Sequence, residues 1–128
     1  MRVDVAQICS LDDRIVYFTC AVGSSFARWM GSGPVGVGQF HVEIEIPEEV
    51  AEWSVDASRQ ASVSTVDEVD VLVTGEVVRL GEDGDPVVEV RLGTDILLVE
   101  MARTQRELVV NEFISFRVTE IQLYPYEV

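Results

Sequence analysis

Apolar and polar residues alternate with a period of two along most of this chain, the pattern of strands that bury one face. In GQFHVEIEIP, residues 38–47, Phe40, Val42, Ile44 and Ile46 fall on one face and Gln39, His41, Glu43 and Glu45 on the other. Residues 2–9 put Val3 and Val5 together, with Ile8 out of phase. The β-branched and aromatic run 14–22 follows a turn at 10–13, which predicts an opening hairpin. Residues 69–80 direct Val69, Val71 and Val73 inward, with a bulge or bend expected at Gly75. A hairpin loop at 81–86 leads to a strand at 87–92 with Val88, Val90 and Leu92 inward. A turn at 93–95 and a strand at 96–101 come next, then a connection at 102–107 and a short edge strand at 108–110. Near the end, Ile114, Phe116 and Val118 share one parity, and Ile121 and Leu123 the other. That break predicts a β-bulge at Thr119–Glu120.

Two stretches depart from the alternation. Residues 23–38 hold five glycines and one proline. That density predicts a loop, one that carries Phe26, Trp29 and Met30 either onto a contact surface or into the core. Pro47 followed by Glu48 and Glu49 is a helix-start signal, and Val50 and Trp53 would share the buried side of a short helix. Residues 54–67 read as a connection. The sum is a mostly β fold in one domain, 1–128: a single curled antiparallel sheet or a small barrel of about six to seven strands, with one short helix.

Charge narrows the function classes. There are 23 acidic side chains against 9 basic ones, a net charge of −14, and every basic residue is arginine. Such a chain repels phosphate backbones and anionic membranes, so neither nucleic acid nor a membrane is an expected partner. It attracts cationic proteins and speeds their encounter. The plainer reading is that the charge keeps the protein soluble. The opening MRVDVAQICSLDD is broken by Asp4 and Gln7, unlike a secretory leader, and no apolar run is long enough to span a bilayer. Cys9 and Cys20 lie at opposite ends of the opening hairpin, too far apart to bridge, and read as inert packing thiols. The expected compartment is the cytoplasm.

Candidate chemistry centres on His41, the only histidine. His41, Glu43 and Glu45 could share a strand face, but a zinc site wants more His or Cys ligands than this chain supplies. The His-x-Glu pair lacks the later Pro-Cys-x-x-Cys of the zinc deaminases. Glu43 and Glu45 could be spaced for glycoside hydrolysis, but alternation alone explains them. No nucleophile elbow is present, and the glycine-rich stretch lacks the lysine of a phosphate loop. Glu82-Asp83-Gly84-Asp85 opens like a calcium loop but continues into valines, so a tight turn is expected. No catalytic residue, metal or cofactor is assigned.

The block VLVTGEVVRLGEDGDPVVEVRLG, residues 71–93, resembles the bent second strand and the third strand of an OB-like β-barrel, with Gly75 at the bend. That family often binds oligonucleotides through basic and aromatic faces; here the matching outward positions include Glu76 and Glu89. In kind, the chain also resembles small acidic bacterial immunity proteins, carried by Glu43, Glu45, Glu48, Glu49, Glu52, Asp67, Glu68 and Asp70. That resemblance implies a non-enzymatic protein-binding domain that neutralises a basic toxin or nuclease. Glu43, Glu45, Glu48, Glu49 and Glu52 would then steer the basic partner, and Trp29 and Trp53 would anchor it. The alternatives are an OB-like accessory domain, with a homo-oligomer among its forms, and a metal-dependent enzyme using His41.

Overall fold

The computed structural model describes residues 1–102 and 107–127. Among them lie eleven strands: β1 (Arg2–Ser10), β2 (Ile15–Cys20), β3 (Gly23–Trp29), β4 (Gly38–Glu45), β5 (Trp53–Val55), β6 (Ser62–Val66), β7 (Asp70–Leu80), β8 (Val87–Leu92), β9 (Asp95–Glu100), β10 (Phe113–Val118) and β11 (Gln122–Tyr126). The fold is mostly β, with a closed β-barrel core. The strands outnumber the six to seven expected, and no helix occurs among the described residues.

Five strands close a ring. β1 pairs antiparallel with β2 and with β4, and β2 with β3. The spatial order β4-β1-β2-β3 is that of a Greek key. β11 completes the ring, antiparallel to β4 and parallel to β3. Alternation supplies its interior: Val3, Val5, Val16, Phe18, Ala27, Trp29, Val42, Ile44 and Leu123 are all buried. Each large side chain fully buried in this way contributes roughly 1.5–3 kcal/mol.

The remaining strands form a second lobe on the same sheet. β7 is its spine, pairing with β6 and β10 over its first half and with β8 over its second. β9 adds to β8, and β5 adds to β10. The lobes join where Gly23 of β3 bridges Val63 of β6. Ser25, fully buried, meets Thr65 hydroxyl to hydroxyl at 3.1 Å beside this joint, so its polar atom is satisfied. One continuous apolar core serves both lobes.

Several expectations need correction. The stretch 23–38 begins with β3, not a loop. Ser25 and Ala27 occupy inward positions, and their small size hid the alternation that Trp29 completes. The glycines that do make a loop lie beyond residue 30. The helix after Pro47 is absent, because Val50 uses its backbone elsewhere: its amide donates to Glu100 and its carbonyl accepts from Ala102, both at 2.8 Å. A helix of so few residues has too few internal bonds to compete. The connection 54–67 contains most of β5 and all of β6.

Val69 is 67% exposed, since Asp67 and Glu68 turn with positive φ just before it. Gly75 carries no register break; the irregularity in β7 falls between Val77 and Arg79. Gly75 is there for close approach, as a Cβ would lie 2.5 Å from the Arg91 carbonyl oxygen. The break at Thr119–Glu120 is not a bulge. β10 ends there and the chain crosses to the ring as β11, changing partners. Residues 108–110 form no strand, and within the connection expected at 102–107, residues 103–106 lie outside the described residues. The hairpin loop expected at 81–86 is present between β7 and β8, and at its tip Asp83 and Gly84, both with positive φ, are the centre of a turn closed by the Asp85 amide donating to the Glu82 carbonyl at 3.0 Å.

Candidate functional site

The outer face of β4 carries His41, Glu43 and Glu45, all exposed. Register with β11 sets Tyr126 opposite His41, Tyr124 opposite Glu43 and Gln122 opposite Glu45. Directly opposed residues in an antiparallel pair share a face, so two tyrosines flank the acidic row. The His41 and Tyr126 rings lie 6.0 Å apart, and the Tyr124 hydroxyl donates to Gln122 at 3.2 Å.

Beside this row runs an open groove of about 620 Å³ between β4 and β9. Glu43, Glu45 and Asp95 supply its charge; Ile46, Ile96, Leu98 and Tyr126 supply apolar surface. Asp95 holds the Met1 ammonium at 2.6 Å. Among the described residues, no arginine lines it.

The other predicted residues disperse. Glu48 turns to the crossing between the lobes, where its carboxylate accepts from the Thr119 amide and hydroxyl, each at 2.6 Å. Its role there is structural. Glu49 is exposed on the segment that precedes β5. Glu52 lines a separate shallow depression with Trp53, Ser54, Leu72 and Arg117. Trp53 is half-buried and packs against the core. Trp29 is only 4% exposed and stacks edge-on against Phe40 at 4.8 Å. It plugs the ring and offers a partner no surface, which corrects its expected role as an anchor. Of the second acidic group, Asp67 and Asp70 both bind Arg117 at 2.7 Å. Those two bonds raise the Arg117 pKa further.

Sequence reasoning passed over Asp95, Ile96, Leu98 and Tyr126. A signal was present: ILLVEM is apolar on both parities, so a half-buried strand must expose Ile96 and Leu98.

Nothing in the described residues gathers three His, Cys, Asp or Glu side chains into a metal-binding cluster. The described cysteines are free; Cys9 is exposed rather than buried, while burial raises the pKa of Cys20. No helix of the described residues is long and apolar enough to cross a membrane. No protein family, curated protein or solved structure matches the chain.

Proposed function

We propose that this protein is a non-enzymatic binding domain for a basic protein, of the inhibitor or immunity type, working in the cytoplasm. One observation carries the reading. Among the described residues, the ion pairs engage Asp67, Asp70, Glu89, Asp95 and Glu120, and none engages Glu43, Glu45, Glu49 or Glu52. Arg28, Arg79, Arg117 and the Met1 ammonium pair with other carboxylates, so among the described residues no ion pair compensates the exposed β4 row. Such a row steers a cationic partner and speeds association.

The ring supports a compatible placement of the fold. A five-stranded Greek-key barrel is the OB-like architecture. Its strands are β1 to β4 and β11 rather than the 71–93 block in which the sequence resemblance lay. The acidic row sits on β4, beside the tyrosines of β11, and it repels the oligonucleotides that such barrels often bind.

The test is capture from the source cell with the full chain, beside the double charge reversal Glu43→Lys/Glu45→Lys. A basic protein should co-purify with the parent chain and be lost from the variant. Its association rate should fall steeply with salt. Equal capture by both chains, or a rate indifferent to salt, would overturn the reading.

A further inference from the structure

We propose that the free edge of β9 takes an extended cationic segment of the partner as an added strand, with the β4–β9 groove receiving its side chains. The inference rests on the reading above and adds where and how the contact is made.

β9 pairs with β8 alone among the named strands, in six unbroken register pairs from Val87↔Glu100 to Leu92↔Asp95. Met101 donates its amide to Pro86 on the β8 side, whereas the Glu100 carbonyl accepts from Val50 on the other. Backbone groups alternate sides along an antiparallel strand. Leu98 and Ile96 share the parity of Glu100, so their N–H and C=O groups point away from β8, where no backbone bond from the described residues meets them. Their side chains are 65% and 42% exposed.

Proteins usually blunt such an edge with lysine, proline, a bulge or very short length. This chain has no lysine, and β9 has neither proline nor bulge. The contrast is within the same sheet: β5 at its far end is three residues long, and β11 carries Pro125 and closes onto β3. Among the described strands, β9 is an edge of six residues without a register break, and it exposes Ile96 and Leu98.

Charge selects the occupant. Glu43 and Glu45 line the groove outside any ion pair among the described residues, while Asp95 at its rim is already paired with the Met1 ammonium. A second copy of this chain would bring another −14 charges to an acidic surface. A strand alternating cationic and apolar residues satisfies both the acidic row and Ile96 and Leu98, with main-chain bonds supplying affinity.

The probe is a capped peptide of about eight residues alternating arginine and valine, titrated into the full chain and followed by amide NMR and fluorescence anisotropy. The Ile96 and Leu98 amides should shift and exchange more slowly with solvent. Leu98→Lys and, independently, Ile96→Lys should weaken binding roughly tenfold or more, as edge lysines do. Both sites are exposed, so both variants should fold. N-methylation of alternate backbone nitrogens should abolish binding in one of the two phases. If both methylated peptides bind like the parent, with shifts confined to Glu43 and Glu45, the edge pairing is wrong while the acidic-face reading stands. Absence of binding also overturns the edge pairing, and capture of the basic partner then decides the broader reading by itself. A dimer of the free protein that Leu98→Lys dissolves would make a second copy the occupant, against this proposal.

Discussion

Gly23 and Val63 meet at the point where the two lobes join. A Cβ on Gly23 would lie 2.1 Å from the Val63 carbonyl oxygen, and the glycine φ of +142° is one that other residues rarely adopt. The only parallel link between β3 and β6 is made there. Gly23→Ala should destabilise the fold by about 2–4 kcal/mol, because strain and clash act together. Chemical denaturation should show a lower midpoint. An unchanged midpoint would mean the lobes do not depend on this contact.

Glu48 ties the segment before β5 to the crossing between β10 and β11. Removing its carboxylate leaves the Thr119 amide and hydroxyl to water. Glu48→Ala should cost about 1–2 kcal/mol, and Glu48→Gln less, since the amide oxygen still accepts. The order of the two variants in thermal melting checks the assignment: equal losses would point to packing rather than to the hydrogen bonds.

Asp56 accepts from the Ser58 amide at 2.8 Å, the main reason its pKa is lowered; the Ser58 and Ser115 side chains act the same way. Its folded pKa lies below the unfolded value, so its stabilisation is full above about pH 4 and is lost as pH falls through the folded pKa. The stability gap between the parent chain and Asp56→Ala should therefore narrow on acidification below about pH 4. Carboxyl NMR should place the Asp56 midpoint below the ordinary aspartate value. A midpoint at or above it would remove the Ser58 bond from the account.

The two thiols should differ in reactivity. Cys9 is exposed on β1, whereas Cys20 is half-buried and its pKa is raised, chiefly by desolvation. Thiolate is the reacting species, so iodoacetamide near neutral pH should label Cys9 well before Cys20. Peptide mapping by mass spectrometry gives the order, and preferential labelling of Cys20 would contradict the burial described.

Much of the fold was legible because alternation is local. Val42 and Ile44 facing in and Glu43 and Glu45 facing out follow from the pleat of one strand, whatever its neighbours. The hairpins β1–β2 and β7–β8 were legible for a similar reason, since short turns fix which runs pair. β3 was missed because Ser25 and Ala27 do not look like core residues until a neighbouring strand covers them. The helix after Pro47 was wrongly expected because its end signals are local, while the bonds that replace it reach from Val50 to Glu100 and Ala102.

The candidate site divides along the same line. Sequence by itself determined a β-rich chain, its acidity, and which face of residues 38–46 would carry carboxylates, because each depends on residue type and a period of two. Tertiary structure alone decided that Glu43 and Glu45 share a groove with Asp95, Ile96 and Leu98, that Glu48 is a structural tie, and that Trp29 is core. Those outcomes depend on which strands become neighbours across long stretches of chain. Strand pairing over such distances is set by the packing of the whole core, which no local period encodes.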